Sequence, residues 1–431
     1  MDSTASPKAR TAERVDLGRP FHRLWASTAA SNAGDGITRT LLPLLVVAHH
    51  PDPVAVAGLT AVNMLPWLLF ALPVGVLVDR MDRRRIVLGS NAVRAAALAG
   101  AALVLAQDRP LVLLYALAFM LGIAETLADT AAPAMLPRLV EERHLERANG
   151  RLSAAQIVLG EMAGPPLAGL LAGLAAAAAL ATGGALYALA ALLLVSLVPL
   201  AGTGRAGPRP GGTNPAQAPG DGPGGAVKDR GGVLQDIREG IRFVLRHRTL
   251  RLTLAASALC GLVFSATFSM LVLLSDRTLG LSGTGYGLLM AAGSLGAVVG
   301  SWLVPRAADR LSTVRLARWS LTASGVAYVL LGAAPNAVLA GVALAANGVF
   351  IMGWNIPVLS LRQRLTPENL QGRVMSVSRL CSWGTMPVGA LLGGLLAEVL
   401  SVPAVFVVCG AVLTAGALLL LAPLRDAPDG P

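Results

Sequence analysis

The stretch GVLVDRMDRRR, Gly75 to Arg85, places two aspartates and four arginines in one short turn between two apolar runs. The chain around this turn has 431 residues, of which 54% are hydrophobic and only 14% are charged. An average soluble domain has about 25% charged residues. The composition is therefore typical of a protein that lies in a membrane.

Apolar segments long enough to cross a membrane flank the charged turn on both sides. A spanning helix needs roughly 17 to 25 mostly apolar residues. Twelve segments meet this need, at 24–48, 54–78, 86–106, 111–133, 152–174, 178–200, 250–274, 283–304, 315–334, 337–360, 374–397 and 402–423. They are apolar all round and lack the polar stripe expected of a large soluble helical protein. The sequence predicts an all-α membrane protein with twelve transmembrane helices.

The positive charges are distributed unevenly along these predicted spans. The net charge is +11, which would also fit a nucleic-acid-binding protein. If the chain starts in the cytoplasm, only Arg109 and Arg277 fall outside, and Arg39, Arg94 and Arg379 fall deep within the membrane. The other 30 of the 35 Lys and Arg residues lie on the cytoplasmic side or, for Arg251, Arg315 and Arg318, in the first four residues of a span that starts there. This distribution follows the positive-inside rule. It predicts that both termini are cytoplasmic and that no nucleic acid is bound.

A Gly- and Pro-rich segment divides the chain into two groups of six spans. Residues 201–232 cannot bury enough apolar surface to fold alone. We therefore expect an N-terminal half at 1–200, a linker at 201–248 and a C-terminal half at 249–431. Within the linker, VLQDIREGIRFVLRHR predicts a basic amphipathic helix that lies along the cytoplasmic membrane surface, or else a simple solvated helix.

The two halves repeat each other in sequence. NGRLSAAQIVLGEMAGPPLAG at the fifth span matches QGRVMSVSRLCSWGTMPVGAL at the eleventh, and these matches align Pro165 with Pro387. VDRM at 78–81 recurs as ADRL at 308–311. Such matches on either side of a linker indicate an internal duplication, which is typical of transporters with a midplane substrate site.

The charged turn, the twelve spans and the long linker resemble the major facilitator superfamily of transporters. GxxxDRxxRRR between spans two and three is similar to the cytoplasmic loop signature of that family. RLWASTAASNAGDGI, EGIRFVLRHRTLR and LVEERHLERANGRLS resemble its bacterial branch of enterobactin-exporter-like and macrolide-efflux-like proteins. The resemblance implies two six-helix halves in a bacterial inner membrane and transport by alternating access.

By this resemblance, the charged turn is a cytoplasmic gating loop that latches the two halves together. The gating residues would be Gly75, Asp79, Arg80, Arg83 and Arg84, with Asp309 and Arg310 in the second repeat. A glycine allows a neighbouring helix to approach closely, and Asp79 would face the positive end of a helix dipole. The alternative is that the arginines only hold the loop at the lipid headgroups and set the topology.

Six charged residues fall inside predicted spans of the first half. They are Asp35, Arg39, Arg94, Glu125, Asp129 and Glu161, and leaving all six in lipid would cost on the order of 15 kcal/mol. They must therefore pair or line a wet cavity. Asn32 shares one helical stripe with two of them.

Several pairings are open for these charges. Asp35 and Arg39 are four residues apart and can pair within one helix, and Arg94 can pair with Asp129. Glu125 and Asp129 share a helical face, where two carboxylates oppose each other's ionisation, so one is expected to hold a proton. That property suits proton coupling, for which Asp35 is the other candidate. The alternative is a set of structural ion pairs that only orient helices.

The second half offers a different candidate lining, and span five offers a direction of transport. The candidate cavity residues of the second half are Phe264, Phe268, Asn347, Trp354, Asn355 and Trp383, although aromatic residues in helices more often pack against other helices.

In span five, Gly160, Gly164, Pro165 and Gly169 approximate a family motif that the resemblance associates with exporters. Small residues, including Gly169 and Gly173 at GxxxG spacing, also allow tight helix contact, so generic helix packing is the alternative explanation.

We therefore expect a proton-driven exporter of amphipathic small molecules such as drugs, antibiotics or siderophores. Proton-linked uptake and a non-transporting membrane receptor are the alternatives. The sequence has no HExxH, GxSxG or Walker motif, so neither an enzyme nor an ATP-driven pump is expected. The expected partners are protons, the small-molecule substrate and the bilayer, with no cofactor or metal, and the chain is expected to act as a monomer.

Overall fold

A computed structural model of the protein describes residues 17–104, 111–141, 144–195, 241–367 and 370–424. For some helical residues the structure describes the backbone but not the side-chain surroundings. These are residues 71, 72, 75, 76, 79, 103, 104, 146, 372 and 376. The described residues form helices and no β-strand. Most of the linker, which was predicted at 201–248, lies outside the described residues.

The first half contains helices that we number α1 to α6. Their bounds are α1 Gly18–His49, α2 Pro53–Arg80, α3 Arg83–Val104, α4 Leu111–Leu139, α5 in three consecutive segments Leu145–Ala155, Gln156–Ala163 and Gly164–Leu174, and α6 Ala176–Val195. The middle segment of α5 has π-helical hydrogen bonding. We call the end of the bundle that holds the α1–α2 turn at 50–52 the distal end, and the end that holds the charged turn the proximal end.

The second half contains helices α7 to α12. Their bounds are α7 Arg248–Leu273 with a π-helical end Leu274–Thr278, α8 Gly283–Ala308, α9 Thr313–Gly332, α10 Ala337–Leu365, α11 in two segments Gln371–Gly384 and Met386–Val399, and α12 Val402–Leu421. Polar side chains cap several helices at the distal end: Asp52, Ser282, Asn336 and Ser401 each accept a hydrogen bond from a backbone N–H two or three residues later. Such caps satisfy donors that a helix start leaves free.

Nine helices among the described residues are long and apolar enough to cross a membrane. They are α2, α4 to α8 and α10 to α12. The other three, α1, α3 and α9, are 32, 22 and 20 residues long. Polar and charged residues interrupt these three, among them Asp35 in α1, Arg94 in α3 and Arg318 in α9. The chain is thus a multi-pass helical membrane protein, and the three polar helices lie in the same bundle.

The duplicated sequence places a matched proline in the first turn of a helix segment in both halves. In α5 the final segment begins at Gly164, one residue before Pro165, and in α11 the final segment begins at Met386, one residue before Pro387. A proline removes a backbone donor and breaks an ongoing helix, although it fits the first turn of a new one. Each matched proline therefore lies at the start of a segment, which follows a π-helical stretch in α5 and a single turn residue, Thr385, in α11.

Among the described residues, close contacts between the halves lie at the distal end and in the middle of the bundle. Helix α5 packs on α8, and α2 packs on α11. A Cβ atom added to Gly169 would overlap the carbonyl oxygen of Gly283, and one added to Gly287 would overlap that of Pro165. Backbone lies directly against backbone here, so the halves are tightly apposed at the distal end.

The short helix at 241–246 partly follows the prediction of an amphipathic helix. Val244 is buried in a cluster with Leu250 and Val374, so this part of the helix packs on the second half of the protein. Ile241 and Leu245 remain exposed on the surface. Residues 233–240 lie outside the described residues.

Candidate functional site

A sealed ion pair joins α1 to α3 in the first half. Arg94 Nη1 lies 3.1 Å from Asp35 Oδ1, and the two side chains keep only 1% and 8% of their exposure. Burial of two charges is tolerated only with close pairing and additional hydrogen bonds. Arg94 also donates to the Ser31 hydroxyl at 3.0 Å, which in turn donates to the Asn91 side-chain oxygen at 3.0 Å.

Helix α6 completes this pair with a tyrosine. The Tyr187 hydroxyl donates to Asp35 Oδ1 at 2.7 Å and lies 3.2 Å from the Thr38 hydroxyl. The Arg94 guanidinium lies 5.1 Å from the centre of the Tyr187 ring, within the range of a cation–π interaction. Asp35 is therefore held by α1, α3 and α6 together, as a structural centre of the first half.

Two donors of the sealed pair remain unused. Arg94 Nε and Nη2 are buried and have no hydrogen-bond partner among the described residues, and the same holds for Asn91 Nδ2. An arginine has five N–H groups in a fixed planar arrangement, so the described residues satisfy only part of the hydrogen-bonding capacity of Arg94.

A second ion pair is open to its surroundings. Arg39 Nη2 lies 2.8 Å from Glu125 Oε1 and joins α1 to α4 near the middle of both helices. The side chains keep 37% and 16% of their exposure. Asp129 lies one turn further along α4 and is half-buried. A charged cluster in the middle of the bundle that keeps access to its surroundings is the expected form of a binding or proton-exchange site.

These pairs correct two of the pairings that the sequence suggested. Asp35 pairs with Arg94 and Arg39 pairs with Glu125, whereas the sequence suggested Asp35 with Arg39 and Arg94 with Asp129. The physical reason is the helix repeat, because four residues rotate a side chain by about 40° and move it about 6 Å along the axis. In α1 this turns Asp35 toward α3 and α6, and Arg39 toward α4.

The two other first-half candidates contact α5 and α8. Asn32 is buried, and its carbonyl oxygen would lie 3.3 Å from a Cβ atom at Gly160, so it packs against α5. Glu161 lies in the π-helical segment, and its carbonyl oxygen accepts a hydrogen bond from Ser294 of the other half at 3.1 Å. A π-helical turn in a long helix often marks a functional site.

The second half contributes aromatic residues but fewer lining groups than expected. Phe264 and Phe268 stack with ring centres 5.5 Å apart. The ring centre of Trp383 lies 5.2 Å from that of Trp67 of α2. Trp383 is half-exposed. The latter pair therefore joins the two halves in the middle of the bundle.

Two second-half candidates pack inside that half. Asn347 is buried and donates to the Ser324 hydroxyl at 2.9 Å, and Trp354 is 2% exposed. Both side chains are used in helix packing, so the structure corrects the expectation that they line a cavity. Asn355, one residue further, is exposed.

The span-five motif contacts one helix from each half. Gly160 and Gly164 lie against α1, where Gly164 faces Gly36, while Pro165 and Gly169 lie against α8. Gly173 is different, because a Cβ atom there would meet nothing within 4 Å. Of the two glycines at GxxxG spacing, only Gly169 is therefore used for close helix contact, together with the other three motif residues.

The arginines of the charged turn bind within the first half. Arg83 donates to the Ala134 carbonyl of α4 at 2.5 Å, and Arg84 donates to the carbonyls of Leu194 and Val195 at the end of α6 at 2.8 and 2.7 Å. Orphan carbonyls at a helix end are good partners for a cation. In this arrangement the turn therefore ties α3 to its own half.

The remaining gating residues do not form a described contact between the halves. Arg80, Asp309 and Arg310 are exposed at the proximal end. Gly75 and Asp79 belong to α2, but their surroundings lie outside the described residues, so their role in a latch stays a prediction.

The sequence interpretation missed three residues that the structure brings to these sites. Tyr187 and Trp67 are aromatic residues that each carry one polar group and lie in largely apolar helices. Ser31 is one small residue among many. Tyr187 had one usable signal, since the chain has only 4 tyrosines and each one in a membrane helix needs a partner for its hydroxyl.

The chain belongs to the Major Facilitator Superfamily, whose family model matches residues 24–387. It is therefore a membrane transporter by family. It is 27% identical to the multidrug efflux pump Tap of Mycolicibacterium fortuitum over 409 residues, covering 90% of this chain and 91% of the relative. It is 22% identical to macrolide efflux protein A of Streptococcus pyogenes over 402 residues, covering 91% and 93%.

A solved structure shows the same fold. The chain superimposes with a TM-score of 0.71 on a bacterial homologue of the iron transporter ferroportin in its inward-facing state, at 17% identity, covering 95% of this chain and all of that one. These comparisons confirm the predicted superfamily and the similarity to macrolide-efflux proteins.

Proposed function

We propose that the protein exports amphipathic small molecules across a bacterial inner membrane in exchange for protons. The observation that carries this proposal is the open pair of Arg39 and Glu125, with Asp129 one turn away, in the middle of the bundle. Carboxylates in such a position can take up and release a proton as the site changes sides. The efflux activity named for two relatives supports the outward direction.

The same proposal assigns a state and an orientation. We place both termini and the charged turn in the cytoplasm, with twelve spans, because the basic residues gather there. The distal end then faces outward, and its tight apposition supports an inward-facing arrangement. Alternating access would open the α5–α8 and α2–α11 contacts while closing the proximal end.

The roles of the two ion pairs differ in this proposal. The Arg39–Glu125 pair and Asp129 form the exchange site, and the half-exposed Trp67 and Trp383 offer apolar surface for the substrate. The sealed Asp35–Arg94 pair holds α1 in place. No cofactor is required, since the proton gradient supplies the energy, and we expect a monomer to be sufficient.

The experiment uses the purified chain in liposomes with an imposed pH gradient and a fluorescent cationic drug. We expect gradient-dependent drug movement that Glu125→Gln and Asp129→Asn reduce at least tenfold. Glu398→Gln is the matched control, because Glu398 is an exposed carboxylate near the distal end of α11. If the rate of drug movement is the same without the pH gradient and in both variants, proton coupling through these carboxylates is wrong.

The direction of movement separates export from the alternative of proton-linked uptake. An exporter moves drug against the direction of proton flow, whereas a symporter moves drug with it. Saturable drug binding without any movement under either gradient would instead favour a receptor.

A further inference from the structure

A cavity of about 240 Å³ lies between the two halves at the distal end. The end of α1 contributes one wall, and the end of α7 with the start of α8 contributes the other. Its lining includes Leu44, Val47, Val272, Leu281, Ser275 and Asp276. Drug-sized ligands occupy pockets of about 300 to 1,000 Å³, so this cavity suits a smaller molecule.

One polar side chain in the lining is buried without a partner. Ser275 is 1% exposed, and its hydroxyl makes no hydrogen bond to any described residue. It lies in the π-helical end of α7, Leu274–Thr278. Buried hydroxyls are normally hydrogen-bonded, and π-helical turns often mark functional sites. Two independent features of the same turn therefore point to a ligand.

The charge of the lining selects a cation. Asp276 brings a full negative charge, whereas the start of α8 brings only about half a positive charge. At that helix start, the backbone N–H of Gly285 already donates a hydrogen bond to the Ser282 hydroxyl at 3.4 Å. Arg277 is adjacent in sequence, but its guanidinium binds the Pro51 carbonyl and is not part of the lining.

We propose that this cavity binds a small organic ammonium ion. Its N–H groups would donate to the Asp276 carboxylate and the Ser275 hydroxyl, and its short alkyl part would lie against Leu44, Val47 and Val272. Because both halves contribute to the walls, a bound ion stabilises the arrangement in which the distal end is closed. The site is separate from the Arg39–Glu125 pair and does not depend on the direction of transport.

The test is the thermal unfolding of the full chain in nanodiscs with n-propylammonium chloride. We expect a saturable rise in unfolding temperature of about 2 °C at ten times the dissociation constant. Potassium chloride at equal ionic strength and 1-propanol at equal concentration should give no saturable rise. An equal rise with either one would overturn the proposal.

Variants locate the site. Asp276→Asn and Ser275→Ala should each remove most of the rise, whereas Asp52→Asn should keep it, because Asp52 is another distal carboxylate and asparagine preserves its helix cap. Val47→Trp, which fills the cavity from the other half, should also remove the rise and provides a second test if a polar variant does not fold. A rise that survives Asp276→Asn or Val47→Trp would refute binding in this cavity.

Discussion

Arg94 and Asp35 form a 3.1 Å ion pair with almost no exposure, whereas Arg39, one turn from Asp35 on α1, forms a 2.8 Å pair that stays open. One helix therefore carries two ion pairs with opposite environments. A sealed pair cannot exchange a proton or a ligand with a cavity, while an open pair can. The structure thus distinguishes a sealed ion pair that joins α1 to α3 from an open ion pair that joins α1 to α4.

Removing one partner of the sealed pair should destabilise the protein strongly. We expect Asp35→Asn and Arg94→Gln each to lower the free energy of unfolding by about 3–5 kcal/mol, because each leaves an uncompensated buried group. Denaturant unfolding in nanodiscs measures this loss. The double variant Asp35→Asn with Arg94→Gln should lose less than the sum of the two single losses, and strict additivity would contradict the pairing.

Removing a charge of the open pair should have the opposite effect, with little loss of stability and a large loss of transport. Glu125→Gln should change the free energy of unfolding by about 1 kcal/mol or less, since a partly exposed ion pair contributes little. Proton-driven drug movement should nevertheless fall at least tenfold. A large loss of stability with unchanged transport per folded molecule would assign this pair a structural role instead.

A single methyl group on α5 should alter the contact between the halves. Gly169→Ala places a Cβ atom onto the Gly283 carbonyl and should shift the protein away from the closed distal end. Gly173→Ala, one turn further on the same helix, meets nothing within 4 Å and is the matched control. Distances between spin labels on the two halves at the distal end should lengthen only in Gly169→Ala.

The arginines of the charged turn should not contribute equally to stability. Arg84→Ala loses hydrogen bonds to the Leu194 and Val195 carbonyls and should cost about 1–2 kcal/mol. Arg85 is 83% exposed and lies 3.8 Å from Asp82, so Arg85→Ala should have little effect. Equal effects in thermal unfolding would contradict this assignment.

The buried asparagine of α10 provides a second stability test. Asn347→Ala leaves the Ser324 hydroxyl without its partner and should cost about 1–3 kcal/mol. The exposed Asn355 is the control on the same helix, and Asn355→Ala should leave the unfolding temperature unchanged. A stable Asn347→Ala protein with impaired drug movement would restore the lining role that the sequence suggested.

The sequence was sufficient to identify the buried charges but not their partners. Asp35, Arg39 and Arg94 stand out because each interrupts an apolar run, and the cost of leaving a charge in lipid shows that it must pair. The choice of partner depends on how α1 is rotated against α3, α4 and α6. That rotation is decided by the packing of many small residues, which no local pattern reports.

The same limit applies to the interruptions of helices and to the residues that line a cavity. The alignment of Pro165 with Pro387 marks places where a helix segment starts in each half, because proline acts locally. The π-helical segment before Pro165 has no comparable local signal. Asn347 and Trp354 were predicted to line a cavity because their residue types suit one, yet burial against α9 and other helices is a property of the tertiary fold.

The glycine and proline contacts between α5 and α8 have a consequence for the energy of opening. Because backbone meets backbone at Gly169, Gly283 and Gly287, separating these helices exposes little apolar side-chain area per unit of contact length. Each Å² of apolar surface exposed to water costs about 25 cal/mol, so the two states can lie close in free energy. Modest ligands, lipids or single methyl groups at this contact are then sufficient to decide which state is populated.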